Sequence, residues 1–479
     1  MKLWEVFCLD IKGFLNKVCK EIKYEPARKG ISEELEAHIQ EIKEDYINNG
    51  ISKIEAEEKA VKQMGIAEEI GKKLNKIHRP HLDWKLLLLI IILMGFSIFI
   101  SFIKEPLGND SYIGSSIIYM LLGLGLSIGI YFYDYKKLKK HSILVYLIAT
   151  VILILPVLGV GHRMMGIPCI RIFGISFFPG TITVPLYIIS FIGLIVDYRK
   201  DNAIKVKIQN EEFLFNKDFI KIIGLSILSI ILMQSISTNV NTLILCFIYL
   251  VVTTIKILMD KEKSIKKLLV LYGSISIISI LLIFAFSASP FRSSRILASF
   301  NPEIDPNGSG YIGMLQKEIM ENAKLVGEAD TEIISSDEYI ISKESNYTFI
   351  YLLGKTGILV SGILVLVIIL TSLKLLFNAK YIKEQYGKFL IIGLSSLYIL
   401  QSMASVMMNI NKGIQADVNI PFVSYGGVYF IVNILSMALI FSIYRRKDIN
   451  IYEESQKSEG ILKKLGILFI DIDKKMTKE

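Results

Sequence analysis

The sequence predicts an all-α polytopic membrane protein with ten transmembrane helices, preceded by a small helical domain. Hydrophobic residues make up 52% of the 479 residues, and the mean hydropathy is +0.50. Apolar runs such as 86–103 and 349–373 are long enough to cross a bilayer, which takes about 20 apolar residues. The core helices of soluble proteins do not need runs of this length. We therefore expect a chain embedded in a membrane.

Charged breaks between the apolar runs mark the limits of the ten spans. The predicted spans are 86–103, 112–133, 142–160, 175–196, 219–236, 240–255, 268–286, 348–373, 389–410 and 421–444. Lysine and arginine are concentrated in the breaks after even-numbered spans, and positive residues in short loops are retained in the cytoplasm. Both termini are therefore expected to be cytoplasmic. The formal charge of +9 largely reflects this topology and attraction to anionic headgroups, so it does not indicate nucleic-acid binding.

Composition divides the chain into three parts: residues 1–82, 83–447 and 448–479. The first part is rich in charge and lacks the pattern of a cleaved signal peptide. The last part can place apolar residues on one helical face with lysines beside it, which is typical of a helix in the inner headgroup layer. The four cysteines are scattered, without the paired spacing of a metal site or a disulfide.

The first part is predicted to be a small cytoplasmic helical domain. Apolar residues at helical spacing, Ile31, Leu35, Ile39 and Ile42, define one helix. Gly50 ends that helix, and Ser52 with Glu55 forms a capping box for the next. The domain resembles the helical prefix domains attached to some bacterial permease-like proteins. It could serve as a folding or anchoring unit, or as a docking site for a cytoplasmic regulator.

Two further segments carry unusual polar chemistry. The long segment 287–345 lies between spans seven and eight and is acidic, and long loops in compact proteins usually carry function. Its first half combines Arg295 and Asp305 with turn-forming proline and glycine, so it could meet a phosphate and a sugar. The stretch 421–427 combines a proline, a hydroxyl pair and two glycines at a membrane boundary, which predicts a kinked backbone in close approach.

These residues, together with the ten-span topology, resemble the shape, elongation, division and sporulation (SEDS) family, which includes FtsW, RodA and SpoVE. The matching positions are Arg295, Asn301, Pro302, Asp305, Gly308, Gly310, Tyr311, Gln316, Gln401 and the stretch 421–427. In architecture the resemblance covers about residues 86 to 447, and at the level of motifs it is confined to the last third. It identifies the chain as a member of this bacterial family, in the plasma membrane.

The resemblance implies peptidoglycan glycosyltransfer on the outer membrane face, in division, cell shape or sporulation. The substrate would be lipid II, carried on undecaprenyl pyrophosphate, and the partner a class B penicillin-binding protein. Arginine, lysine or a divalent cation such as Mg²⁺ or Mn²⁺ would neutralise the leaving pyrophosphate. The resemblance assigns substrate contacts to Arg171, Arg295, Asn301, Gln316, Gln401, Ser424, Tyr425, Gly426 and Gly427. Lys355 is a further candidate for a substrate contact, on the ground of its predicted place inside span eight.

The chain departs from the family where a carboxylate is expected. Counting back from Gly357, the family's aspartate position holds Asn346, whose amide can hydrogen-bond a sugar but cannot accept a proton. The family's acid pair is replaced by Gly354 and Lys355, and a further acid near span four is replaced by Thr181. With Asn346 in place, no metal site can be assembled from residues that can be named.

Several explanations therefore stay open at this point. A displaced acid, Glu344 or Asp305, could supply the base, although in-line geometry is strict. Alternatively the protein is a non-catalytic lipid II-binding or synthase-regulating member of the family, the alignment is shifted by a few residues, or the chain is a transporter. The candidate residues also have ordinary interpretations: Asp305 as a turn residue, and Ser424 as a partner for backbone groups freed by Pro421. Lys355, placed inside span eight, would be costly in lipid and so points to function.

Overall fold

The computed structural model describes residues 10–77, 82–104, 112–164, 167–172, 175–196, 203–208, 211–237, 239–259, 290–331, 333, 345–416, 418–424 and 427–447. The predicted span 268–286 and the predicted tail helix in 448–479 lie outside these residues, as do the candidate site residues Glu344, Tyr425 and Gly426. Within the described part, the chain divides into two compact units. One contains the residues up to Leu82 and those from Tyr444 onward, and the other extends from Asp83 to Ile443.

The first unit is built on four helices, α1 (Ile11–Glu21), α2 (Glu25–Asn48), α3 (Lys53–Met64) and α4 (Ala67–Ile77). Their apolar faces share one core, in which Ile31 and Ile39 are buried and Leu35 is partly buried. Helix α2 ends just before Gly50, whose φ of 87° suits glycine. The Ser52 hydroxyl accepts a hydrogen bond from the Glu55 amide at 3.4 Å. The predicted helix end and the Ser52 cap are confirmed.

The remaining helices include long apolar ones. They are α5 (Trp84–Lys104), α6 (Tyr112–Phe132), α7 (Lys136–Lys140), α8 (Ser142–Ile154), α9 (Pro179–Val196), α10 (Lys217–Ile236), α11 (Asn239–Met259), α12 (Pro290–Phe300), α13 (Tyr311–Glu321), α14 (Thr348–Thr356), α15 (Ile358–Lys380), α16 (Gln385–Asn409) and α17 (Gly427–Arg445). Among the described residues seven helices, α5, α6, α9, α11, α15, α16 and α17, are long and apolar enough to cross a membrane, and α8 and part of α10 are shorter apolar helices. A polytopic helical membrane protein is confirmed, and the number ten stays a prediction.

Short strands interrupt the chain that the sequence predicts to be all-α. Strands β1 (His162–Met164), β2 (Ile167–Ile172) and β3 (Ile175–Phe177) form an antiparallel sheet in the order β1-β2-β3. Strands β4 (Ala203–Ile208) and β5 (Glu211–Asn216) form a separate antiparallel hairpin. Two predicted spans are corrected: 142–160 is shortened because α8 ends at Ile154, and 175–196 is shortened because β3 precedes α9, which begins at Pro179. Proline fits the first turn of a helix, where no amide hydrogen is needed.

The predicted span 348–373 is wrong as one helix, because the chain breaks at Gly357 into α14 and α15. Gly357 has a φ of 93°, and an added Cβ would lie 2.8 Å from the carbonyl oxygens of Lys324 and Leu325. The segment 324–329 satisfies the backbone at the break. The Ile358 amide donates to the Lys324 carbonyl at 3.0 Å, and the Ala329 amide donates to the Gly354 carbonyl at 2.7 Å. Lys355 therefore lies at the end of the short helix α14, outside the candidate span.

An ion pair also joins this segment to α14: Lys355 Nζ lies 2.6 Å from Glu328 Oε1, with the side chains 23% and 42% exposed. We predict that Lys355→Glu lowers the free energy of unfolding by about 0.5–1 kcal/mol, the range for partly exposed pairs. The double variant Lys355→Glu/Glu328→Lys should restore most of that loss, as measured by thermal unfolding in detergent. Lys324→Glu, at the more exposed pair with Asp330, is the control and should change stability less. A double variant no more stable than Lys355→Glu would contradict this prediction.

A second ion pair ties the start of α5 to the end of α15. Asp83 precedes α5, and its Oδ1 accepts a hydrogen bond from the Leu86 amide at 3.2 Å. Its Oδ2 accepts from Asn378 Nδ2 at 2.8 Å and lies 2.9 Å from Lys374 Nζ. Burial alone would raise the pKa of Asp83, but the hydrogen bonds from Lys374, Asn378 and Leu86 and the charge of Lys374 lower the pKa on balance.

We predict that Asp83→Asn destabilises the protein by about 1–3 kcal/mol, because it removes the charge that Lys374 and Asn378 contact. The sign of the pH dependence follows from the lowered pKa. The contribution is complete above the unfolded pKa of about 3.9 and is lost as the pH falls through the lower folded value. Thermal unfolding of both proteins in detergent at a series of pH values measures this. A difference in the free energy of unfolding between the two proteins that stays constant below about pH 4 would refute the lowered pKa of Asp83.

Candidate functional site

Polar side chains from four separate segments meet at Gln415, which follows α16. The backbone amide of Gln415 donates to Ser299 Oγ of α12 at 3.1 Å. The side-chain Nε2 of Gln415 donates to Gln316 Oε1 of α13 at 3.1 Å. The Tyr347 hydroxyl donates to Gln415 Oε1 at 3.5 Å. Ser299 and Gln316 are buried. We call Ser299, Gln316, Tyr347 and Gln415 the Gln415 network. It joins the predicted outer loop to the start of α14.

Asn409 holds the turn that carries Asn346. Its Nδ2 donates to the Asn346 carbonyl at 2.9 Å and to the Ser405 carbonyl at 2.8 Å. Its Oδ1 accepts from the Ile350 amide at 3.1 Å. Asn409 is fully buried, so these bonds are well shielded from water. The fold thus fixes Asn346 through its backbone carbonyl and places it beside the Gln415 network.

Asp305 is a turn residue in this structure. Its Oδ2 accepts from the Ser309 amide at 2.7 Å, and its carbonyl accepts from the Gly310 amide at 2.8 Å. The carboxylate lies so close to Gly308 that an added Cβ would be 2.4 Å from Oδ2. At Gly310, which also carries the family resemblance, an added Cβ would lie 2.1 Å from the Pro302 carbonyl oxygen, so close packing requires glycine there.

Another glycine of this loop is also tightly packed. A Cβ added at Gly313 would lie 2.7 Å from the Pro302 Cβ and 3.0 Å from Asn411 Oδ1. Asn411 adopts a φ of 56°, and its Nδ2 donates to the Gly313 carbonyl at 2.6 Å. The segment after α16 is thereby joined to the start of α13 a second time.

The outer-loop candidates Arg295 and Asn301 are both exposed. The Ser299 hydroxyl donates to the Arg295 carbonyl at 2.7 Å within α12. Nearby, Lys317 Nζ lies 2.5 Å from Glu303 Oε1. The hydrogen bond and charge of Lys317 lower the pKa of Glu303, and those of Glu303 raise the pKa of Lys317. Because both side chains are exposed to solvent, we treat the pair as a surface contact.

The remaining candidates lie in different segments. Gln401 is buried in α16, and its Oε1 has no hydrogen-bond partner in the described part of the chain. Ser424 Oγ accepts from the Ile420 amide at 3.2 Å, which matches the ordinary interpretation of this residue. Gly427 begins α17, where an added Cβ would lie 2.8 Å from the Tyr119 ring. Arg171 is exposed in β2, which belongs to another segment.

Sequence reasoning missed Asn409, Asn411, Gln415 and the buried lysine Lys104. Lys104 ends α5 and is fully buried, with its Nζ 4.6 Å from the centre of the Tyr351 ring of α14. A buried cation beside an aromatic ring is a favourable arrangement. The signal that could have found Lys104 and Asn409 is polarity at the end of an apolar run, because a polar group there must find a partner inside the protein.

The chain matches the family model described as cell cycle protein, FtsW/RodA/SpoVE, over residues 80–449. A probable peptidoglycan glycosyltransferase FtsW from Nitrosomonas europaea is 23% identical over 387 residues, which cover 77% of this chain and 94% of that protein. Its counterpart from Moranella endobia is 25% identical over 228 residues. That match covers 47% of this chain and 58% of the relative's length.

Solved structures share the fold. A chain from a peptidoglycan synthase complex that coordinates polymerization and crosslinking has a TM-score of 0.57 at 16% identity, covering 76% of this chain and 98% of that one. The rod shape determining protein RodA of Thermus thermophilus has a TM-score of 0.52 at 13% identity, covering 76% and 97%. At these identities the likeness shows the fold alone. The family match covers most of the chain, and we conclude that this protein belongs to the FtsW/RodA/SpoVE family of cell cycle proteins.

Proposed function

We propose that this protein is a SEDS-type peptidoglycan glycosyltransferase that engages lipid II on the outer membrane face during cell wall synthesis. The observation that carries this proposal is the Gln415 network, which brings together the segments with the family's outer-loop motif and the start of α14. The relatives named as probable peptidoglycan glycosyltransferases support the reaction class. Lipid II is the substrate that the resemblance implies.

The reaction needs a base for the sugar hydroxyl and positive charge for the leaving pyrophosphate. Exposed Arg295 is the cation that we assign to the second task. Gln316 adds a buried amide whose Nε2 has no hydrogen-bond partner among the described residues. A divalent cation would supply the same neutralisation. The described residues offer no group of three ligands that could hold one, so no step is assigned to a metal.

A second candidate function is favoured by Asn346 and Asp305, because neither of these described residues offers a free carboxylate as a base. Asn346 carries an amide, and the Asp305 carboxylate accepts a hydrogen bond from the Ser309 amide in its own turn. Glu344 lies outside the described residues. A protein that binds lipid II or regulates a synthase without turnover fits these two positions. The two candidates share one fold and one binding surface, and they differ in proton transfer.

The proposal also includes a protein partner and a membrane topology. One structural neighbour belongs to a complex that coordinates polymerization and crosslinking, which supports pairing with a class B penicillin-binding protein. The seven long apolar helices and two shorter ones of the described part are consistent with ten spans. In that arrangement both termini are cytoplasmic, the segment 287–345 lies outside the cell, and a cytoplasmic regulator could dock on the N-terminal domain.

We predict that Asn346→Asp raises polymerisation of labelled lipid II at least about 100-fold over the native chain, because a positioned base contributes about 10²–10⁴-fold. The assay uses the purified full chain, with and without Mg²⁺ or Mn²⁺ and with a class B partner. Asn307→Asp, in an exposed turn of the predicted outer loop, is the matched control and should not change polymerisation. Robust glycan strands from the native chain would exclude the non-catalytic candidate. Loss of those strands in Glu344→Gln would then identify the displaced base.

Variants of Asp305 distinguish a role in the turn from a role in catalysis. If it acts only in the turn, we expect Asp305→Asn to keep both stability and any polymerisation, because the amide oxygen can still accept from Ser309. Asp305→Ala should cost about 1 kcal/mol of stability, since it leaves the Ser309 amide without that acceptor. Thermal unfolding and the lipid II assay measure the two properties. Full stability with lost turnover in Asp305→Asn would show that the carboxylate itself is needed.

A further inference from the structure

Charge is unevenly distributed over the first compact unit. Residues 10–23 and 65–77, which contain α1 and α4, carry seven lysines against four carboxylates. Residues 25–64, which contain α2 and α3, carry six lysines or arginines against ten carboxylates. Helix α1 packs on α4, and α2 packs on α3. The two signs of charge therefore lie on different helix pairs.

The lysines concentrate further, because α1 and α4 run in the same direction. A Cβ added at Gly71 would lie 2.8 Å from the Val18 carbonyl, and the Lys23 amide donates to Asn75 Oδ1 at 3.0 Å. The carboxyl-terminal ends of the two helices thus lie side by side. We call the five lysines at these ends the basic end: Lys20, Lys23, Lys72, Lys73 and Lys76. All five are exposed, and in the described part of the chain none of them forms an ion pair.

We propose that the basic end binds the anionic headgroups of a lipid bilayer. The stretches 20–23 and 72–77 contain these five lysines and one carboxylate, Glu21, so this end of the helix pair has a clear excess of positive charge. Five exposed lysines, without ion-pair partners among the described residues, match a layer of lipid phosphates in the sign of their charge. Each lysine near an anionic surface strengthens the attraction about fivefold.

Covalent continuity favours lipid over a soluble acidic partner. The basic end leads in sequence directly to the candidate span α5, and the six intervening residues, 78–83, include a further arginine, Arg79. Six extended residues reach at most about 20 Å, so a bilayer is always available to the basic end at high effective concentration. Trp84, 71% exposed at the start of α5, is the kind of residue that anchors a span at the interface.

The test measures hydrogen exchange of the full chain in nanodiscs of phosphatidylcholine, with or without phosphatidylglycerol. With the anionic lipid, amides in α1 and α4 should exchange at least about tenfold more slowly, while those in α2 and α3 stay unchanged. High salt should abolish the difference, because screening shortens the reach of exposed charges.

Two triple variants with equal charge change locate the surface. Lys72→Glu/Lys73→Glu/Lys76→Glu should lose the lipid-dependent protection. Lys53→Glu/Lys59→Glu/Lys62→Glu changes three exposed lysines of α3 and should keep it. Both sets include a lysine in the last turn of its helix. The α3 set also removes the ion pair of Lys59 with Glu55, so the stability of each variant is measured alongside. If faster exchange in α2 shows that the first variant is unfolded, the corresponding Lys→Gln variant replaces it and should lose most of the protection.

Three outcomes would overturn the proposal. Equal exchange in both kinds of nanodisc would show that lipid charge is not recognised. Equal loss of protection in the α3 and α4 variants would show that net charge matters and the basic end does not. Protection of α1 and α4 by soluble polyglutamate, without protection by the anionic bilayer, would identify an acidic protein partner as the ligand.

Discussion

The structure depends on one constraint: a backbone group in an apolar medium must find its hydrogen-bond partner inside the protein. Three interruptions of the helices show how it is met. At the break beside Gly357, backbone carbonyls and amides of the segment 324–329 form the hydrogen bonds that the interrupted helix leaves open. Before α17 the Ser424 hydroxyl accepts a hydrogen bond from the Ile420 amide. At the start of α14 the Asn409 side chain accepts from the Ile350 amide and donates to the Asn346 carbonyl. Several polar residues that mark the candidate site are therefore also the ones that allow the backbone to bend there.

The same constraint explains what could be predicted from the sequence. Apolar length is a local property, so α5, α6 and α16 begin and end within a few residues of the predicted spans. The break at Gly357 was missed because it depends on a segment some thirty residues earlier in the chain. The Gln415 network was missed for the same reason, since Gln415 and Ser299 are 116 positions apart. Motif resemblance found Gln316 and Asp305, but it could not tell a turn residue from a reacting one.

Asn346 shows that fold and chemistry are separable at one position. Asn409 donates a hydrogen bond to the backbone carbonyl of Asn346. Every residue type has that carbonyl, so the contact does not depend on the side chain at this position. Replacing a carboxylate by an amide of nearly the same shape therefore leaves the turn and α14 intact while it removes the proton acceptor. A chain can therefore keep the family's architecture over residues 80–449 and carry an amide at the position where the resemblance implies a base.

Three departures from the family pattern each remove a negative charge from the chain. An amide at Asn346, a lysine at Lys355 and a hydroxyl at Thr181 all replace positions where the family pattern has acids, so each makes the surroundings less negative. Lys355 finds a partner in Glu328, which indicates that the charge change is accommodated within the fold. A less negative site holds a pyrophosphate-linked substrate more tightly, yet such uniform binding does not lower the barrier to reaction. Under the non-catalytic proposal, these substitutions would favour binding of the substrate over its turnover.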